Sequence, residues 1–248
     1  MTDPQTRIAQ LEAELAAARQ EMQDFTQTVS HDLRAPLRHI VSYARLVQED
    51  AGPQLNEEVR GFLSTITDAS GQLGAMLDAL LELSRLGTAP VQITSVALQP
   101  LVQEVCDEVA ARHAAHVVDV SVDVAVPEVL ADAALLRHAL LGLLVNAWKF
   151  TATTPEARVV VSATLNAQGM VVLTVQDNGV GYNPALQGQL FKMFSRLHSA
   201  SQFPGLGSGL ALARKAVRRM GGEVQLSGAV NAGCCATLLL PGVPVAAA

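Results

Sequence analysis

The chain is short of cysteine, short of aromatic residues, and without any long apolar run. Its three cysteines, Cys106, Cys234 and Cys235, cannot all pair, two are neighbours, and none sits in a CxxC spacing. Neither a disulfide framework nor a zinc ribbon is therefore expected. They read as small buried residues in a reducing compartment, which predicts a cytoplasmic protein. No apolar stretch approaches the ~18–20 residues of a membrane span, and residues 1–24 are too acidic and glutamine-rich for a secretory leader. Membrane insertion is not expected. The net charge is −6 with no dense Lys/Arg block, which argues against nucleic acid as a partner. No Gly-Lys pair occurs anywhere, so no Walker A phosphate loop exists.

What is present divides into two halves. Residues 1–86 carry almost no strand signal. Val59, Phe62, Ile66, Ala69, Leu73, Met76, Leu80 and Leu83 step by threes and fours, the seam of a packed or dimeric helix. Ahead of it, Ala51-Gly52-Pro53 is a break. The preceding helix has two heptad registers, one over Ile8, Leu11, Leu15, Ala18, Met22 and Phe25, the other over Leu33, Leu37, Ile40, Ala44 and Val47. Val29 joins them through two steps of four, a stutter that falls beside His31. Pro36 follows and favours a bend. A hairpin with one apolar face cannot bury it alone, so a homodimer forming a four-helix bundle is expected.

Gly87-Thr88-Ala89-Pro90 reads as a linker. Beyond it strands and helices mix: a short strand near Val91–Val96, a helix over Pro100–His113, a strand over His116–Val124 and a helix over Asp132–Phe150. Arg158–Leu165 and Met170–Gln176 form a strand pair, and a Gly/Ser/Pro-rich stretch covers residues 178–208. Helix Gly209–Met220 and strands Val224–Leu226 and Ala236–Leu240 complete the series. This pattern predicts an α+β sandwich, one sheet with helices on one face.

Several residue groups carry chemistry. Histidine is a nucleophile near physiological pH, and a neighbouring carboxylate can hold one ring N–H while the other nitrogen attacks. His31 and Asp32 have that arrangement, and Arg34 can stabilise phosphate charge. Asn146 and Lys149, three apart on a helix, share a face. Asp177-Asn178-Gly179-Val180-Gly181 ends a strand. A buried carboxylate there can accept the adenine amino hydrogen bond, while glycines let backbone approach the base. Gly205-Leu206-Gly207-Ser208-Gly209-Leu210 opens a helix, where free N–H groups suit a polyphosphate. Taken singly, each has a bland counterpart: a solvated face, a strand-end turn, core aromatics.

In order and spacing these segments resemble the H, N, G1, F and G2 boxes of sensor histidine kinases, over about residues 22–242. The resemblance implies a coiled-coil helix at 1–24, a dimerisation and histidine phosphotransfer hairpin at 25–86, a linker at 87–90 and a Bergerat-type α/β sandwich binding ATP at 91–245. It implies that His31 accepts the γ-phosphoryl group and that Asn146 coordinates Mg²⁺. Lys149, Phe150, Asp177, Gly179, Gly181, Gly205, Gly207, Gly209 and Leu210 would form the ATP site. Phe191 and Phe194, in the stretch similar to the F box, would anchor a mobile lid, and Arg196 and His198 are further phosphate candidates. The wording Arg196-Leu197-His198-Ser199-Ala200, followed by Phe203, is similar to kinase modules of phytochrome-like photoreceptors. The implied partners are a response-regulator receiver domain and an upstream sensor.

The chain departs from the family pattern at Gly142, where another Asn is frequent, and at Ser208. Ala35 stands where Thr or Asn is linked to regulator dephosphorylation, so weak phosphatase activity is expected. Two rivals remain at this point: a degenerate kinase serving as a dimeric phosphotransfer or scaffold module, and a non-kinase ATPase of the same nucleotide fold.

Overall fold

The computed structural model describes residues 4–243. Residues 1–3 of the expected coiled-coil segment and 244–245 of the expected catalytic segment lie outside them. Two compact units meet between Ala89 and Pro90.

The first unit is a helical hairpin. Helix α1 runs from Pro4 to Ala51 without interruption, through both the stutter and Pro36. A single 3-10 turn, Gly52–Gln54, reverses the chain where the Gly-Pro break is read. Helix α2 spans Glu57–Thr88. The Asn56 side chain caps it by accepting from the Val59 N–H, with Glu57 and Glu58 in its first turn and Arg85 in its last, as the helix dipole favours. The first two residues of the expected linker, Gly87 and Thr88, are thus helical.

The helices run antiparallel. Arg34 pairs with Asp78, and Leu37 packs against Gly74, where an added Cβ would lie 3.4 Å from Leu37 Cδ2. Ser30, Leu37 and Ala44 of α1, with Ser70, Leu77 and Leu81 of α2, are buried. Beside this inner seam runs a second, outer stripe. Phe25, Val29, Leu33 and Ile40 of α1, with Phe62, Ile66, Leu73 and Leu80 of α2, are exposed. The strongest apolar periodicity in the sequence therefore faces away from the partner helix of its own hairpin.

The second unit is an α/β sandwich. Strands β2 (Asp119–Val124), β4 (Arg158–Leu165), β5 (Met170–Asp177), β6 (Glu223–Gly228) and β7 (Cys234–Pro241) form one sheet in the order β2-β4-β5-β7-β6. Only β2 and β4 are parallel. Helices α3 (Leu98–Arg112), α4 (Ala133–Phe150) and α5 (Gly209–Arg219) cover it. Val159, Val161, Val171, Leu173, Leu238 and Leu240 alternate along three strands and are fully or almost fully buried, the period-2 face expected of a sheet packed on one side. On the other face, Ser162 and Thr174 pair their hydroxyls across strands at 2.6 Å.

Two departures from the sequence reading have local causes. A small second ladder pairs β1 (Thr94–Ala97) antiparallel with β3 (Glu128–Ala131). The β3 strand escapes a periodicity reading because four residues are too few to show alternation. Strand β2 begins at Asp119, not His116, because His116 N–H closes a turn onto the His113 carbonyl at 2.8 Å and its ring reaches Thr151 Oγ1 at 3.2 Å.

Candidate functional site

The candidate functional residues gather at one place in each unit. On the hairpin, the His31 ring is open to solvent, its side chain 83% exposed, and Nδ1 lies 3.2 Å from Asp32 Oδ1. Asp32 can thus hold the Nδ1–H tautomer, leaving Nε2 as the nucleophilic nitrogen. A groove runs past this ring, with Asp24, Thr28, Asp32 and Arg34 contributed by α1 and Leu81, Ser84 and Arg85 by α2. Arg34, read as a phosphate ligand, donates to Asp78 Oδ1 at 2.5 Å. Arg85 brings a second positive charge to the groove, one the sequence reading did not single out.

In the sandwich, a cleft opens between α4, the end of β5 and residues 190–210. It encloses about 700 Å³ of non-protein space, counting its open mouth. Asp177 lies in it, 8% exposed. Its Oδ1 accepts from the N–H groups of Gly179 at 2.9 Å and Cys234 at 3.2 Å. No described residue donates to Oδ2, so that oxygen is available to a ligand N–H. Burial pushes the Asp177 carboxyl up to about 6, against the opposing pull of the two backbone donors.

The loop after Asp177 is held by close backbone approach. A Cβ on Gly179 would overlap the Phe150 carbonyl oxygen, and one on Gly181, whose φ is +59°, would overlap that of Ala229. Glycine is required at both. Val180 N–H donates to the Phe150 carbonyl at 3.1 Å, which ties this loop to the end of α4.

Helix α4 also meets the glycine-rich segment. Lys149 Nζ lies 3.6 Å from where a Cβ on Gly205 would stand, and Asn146 Nδ2 lies 3.7 Å from the same point on Gly209. Burial first, and then the charge of Arg196, lowers the Lys149 pKa, and its Nζ sits 4.4 Å from the Phe150 ring centroid. Helix α5 begins at Gly209 without a side-chain cap from Ser208, so its first-turn N–H groups are open to an anion.

Of the expected nucleotide residues, Asn146, Phe150, Asp177, Gly181 and Leu210 line the cleft directly. The others stand around it. Phe191 lies under the Arg214 guanidinium at 4.6 Å and its carbonyl accepts from Arg214, which fixes it to α5. Phe194, at φ +63°, donates its N–H to Gly207 O at 3.0 Å. Arg196 donates to the Phe203 carbonyl at 2.8 Å. Sequence reasoning missed Tyr182, whose buried hydroxyl donates to Leu226 O at 3.2 Å, and Cys234. Burial, reinforced by Asp177 and Cys235, pushes the Cys234 thiol up to about 12, which keeps it protonated and inert. Among the described residues no helix is long and apolar enough to cross a membrane.

Comparison with known proteins divides the chain the same way. Residues 21–89 match the model of the His Kinase A (phospho-acceptor) domain, and residues 131–244 that of the histidine kinase-, DNA gyrase B- and HSP90-like ATPases. Cyanobacterial phytochrome B of Nostoc sp. is 29% identical over 88% of this chain and 29% of its own length. The methanogenesis regulatory histidine kinase FilI of Methanothrix harundinacea is 28% identical over 96% of this chain and 26% of its own. The chain therefore spans less than a third of these curated relatives. Among solved structures, full-length ShkA in complex with AMPPNP superposes with a TM-score of 0.65 at 27% identity, covering 90% of this chain and 47% of that one. Acinetobacter baumannii AdeS, at 18% identity and a TM-score of 0.60, covers 85% of this chain and 97% of its own and shares the fold.

Proposed function

This chain belongs to the sensor histidine kinases, whose catalytic core it carries, and from that premise we propose that it phosphorylates His31 with ATP and passes the phosphoryl group to an aspartate of a response-regulator receiver domain. The observation that carries this reading is the His31–Asp32 pair. The ring is exposed, and its Nδ1 lies against a carboxylate.

The chemistry runs as an in-line displacement. His31 Nε2 forms a bond to the γ-phosphorus as the bond to the β-phosphate bridging oxygen breaks, and ADP leaves. Asp32 holds the Nδ1 proton and offsets the positive charge that develops on the ring. Catalysis of this kind depends mainly on positioning and charge neutralisation. In the cleft, Asp177 Oδ2 accepts from the adenine amino group, which selects adenine over guanine. Lys149, the glycine segment 205–209 and the first turn of α5 take the phosphates. Asn146 offers one neutral side-chain oxygen, which suits a Mg²⁺ ion held otherwise by phosphates and water. Bound there, the ion would neutralise phosphate charge.

The outer apolar stripe of the hairpin supports a homodimer, since it would be covered by a second copy in a four-helix bundle. Use of ATP and three unpaired cysteines fit a cytoplasmic setting. The experiment is incubation with γ-labelled ATP and Mg²⁺, comparing wild type with His31→Gln. Acid-labile, alkali-stable label on wild type and none on the variant is the expected result. Label that persists in His31→Gln, or none on either protein, would overturn the reading.

A further inference from the structure

His198 belongs to residues 182–208, the segment that the family resemblance makes a lid, yet it bonds outside it. Its Nε2 lies 2.9 Å from the Gly181 carbonyl oxygen. A carbonyl only accepts, so Nε2 carries the hydrogen. In the neutral ring Nδ1 is then the unprotonated nitrogen. The ring also packs against Phe150 and Phe203. All three centroid separations in this trio are 5.3 Å, with interplanar angles between 48° and 66°, the tilted geometry that aromatic quadrupoles favour. Phe203 is buried, while His198, Phe150, Gly181 and Asp177 share the wall of the cleft.

One side chain therefore joins three separate segments: the last residue of α4, the glycine loop after Asp177, and the lid. The carbonyl it holds belongs to the residue that cannot carry a Cβ, in the loop that Asp177 itself anchors. It shares the cleft wall with Asp177, the carboxylate read as the adenine acceptor, whereas the atoms near Gly205 and Gly209 are Lys149 Nζ and Asn146 Nδ2.

We infer that His198 is a positioning residue for the nucleobase, closing one side of the adenine cleft and fixing Gly181 and the lid about it. This rests on reading the cleft as the ATP site. It differs from the role the sequence suggested, since a residue acting on the base affects ADP and ATP alike. A phosphate ligand aimed at the transferred group affects ATP alone.

The test is calorimetric binding of Mg–ADP and Mg–ATP to the full chain as wild type, His198→Ala and His198→Phe. In His198→Ala, which removes both ring and donor, both nucleotides should weaken by one common factor of about tenfold, the scale of one lost hydrogen bond with its ring contacts. His198→Phe, which keeps the ring, should recover part of that loss and serves where the Ala variant fails to fold. In labelling assays the loss should appear in KM for ATP. Unchanged affinity in both variants, or a loss confined to ATP, would overturn the inference while leaving the kinase reading intact. Wild type that binds neither nucleotide would overturn both.

Discussion

Arg34 of α1 donates to Asp78 of α2 across 2.5 Å, tying the two helices together three residues beyond His31. The cation that sequence alone assigns to phosphate is thus already engaged by a carboxylate. Both partners are substantially exposed, so the pair contributes little to stability, under ~1 kcal/mol, and its weight falls on chemistry. Asp78→Asn should release Arg34 toward the groove and raise the initial rate of His31 labelling about two- to fivefold, with an almost unchanged thermal melt. Slower labelling would show that Arg34 acts only when Asp78 holds it.

The buried Asp177 sets a pH dependence of opposite sign for stability and for binding. Its folded pKa of about 6 lies above the ordinary carboxylate range, so the native chain holds this proton more tightly than the unfolded chain does. The group's contribution to stability is fully present below about pH 4 and is lost as pH rises through about 6. Adenine needs the ionised acceptor, so affinity for ADP should rise across the upper part of the same window. Urea melts and calorimetry from about pH 5 to about pH 8 would check both. Asp177→Asn should flatten both profiles and weaken binding throughout.

Gly181→Ala should be costly wherever it is measured. The position combines a positive φ with a Cβ that would overlap the Ala229 carbonyl, so relief requires moving the loop that Asp177 and His198 hold. A loss on the order of 2–4 kcal/mol in urea unfolding is expected, together with loss of nucleotide binding. Tolerance of alanine with full ADP affinity would show that this loop is free to move.

Ala35, four residues past His31, carries no hydrogen-bonding group to place a water. Dephosphorylation of a phosphorylated receiver domain should be slow with wild type and faster by about tenfold with Ala35→Thr, read by loss of label from the regulator. Rapid wild-type dephosphorylation would contradict this.

How far the sequence could be read depended on the range of each interaction. Helices α3, α4 and α5 and the β4–β5 pair are legible because their periodicity is local and long. Asp177 is legible because a strand end followed by two glycines is a local pattern. His198 is legible only as a phosphate candidate, and its contacts are not, since its partners Gly181 and Phe150 lie 17 and 48 positions away and nothing near it marks them. The hairpin misleads in a different way. Its inner seam mixes the leucines Leu37, Leu77 and Leu81 with small residues such as Ser30, Ala44 and Ser70, while the bulky residues Phe62, Ile66 and Leu73 form the outer stripe. The longest apolar periodicity therefore marks the outer stripe, and the inner seam is the quieter pattern. Arg85 reaches the His31 groove only through the antiparallel pairing of α1 with α2, which residue spacing along one helix does not encode.

The unbroken course of α1 has a mechanical consequence. From Pro4 to His31 the helix is continuous, roughly 40 Å of rod at ~1.5 Å per residue. Torsion applied to its first turns would be carried along that length and would swivel the imidazole about the rod's long axis. Immediately downstream, Pro36 cannot donate to the Asp32 carbonyl, so winding strain has a soft place to dissipate just past the reactive ring. Turning the near end by a fraction of a helical turn would thereby re-aim Nε2 while the far end of the hairpin stays put.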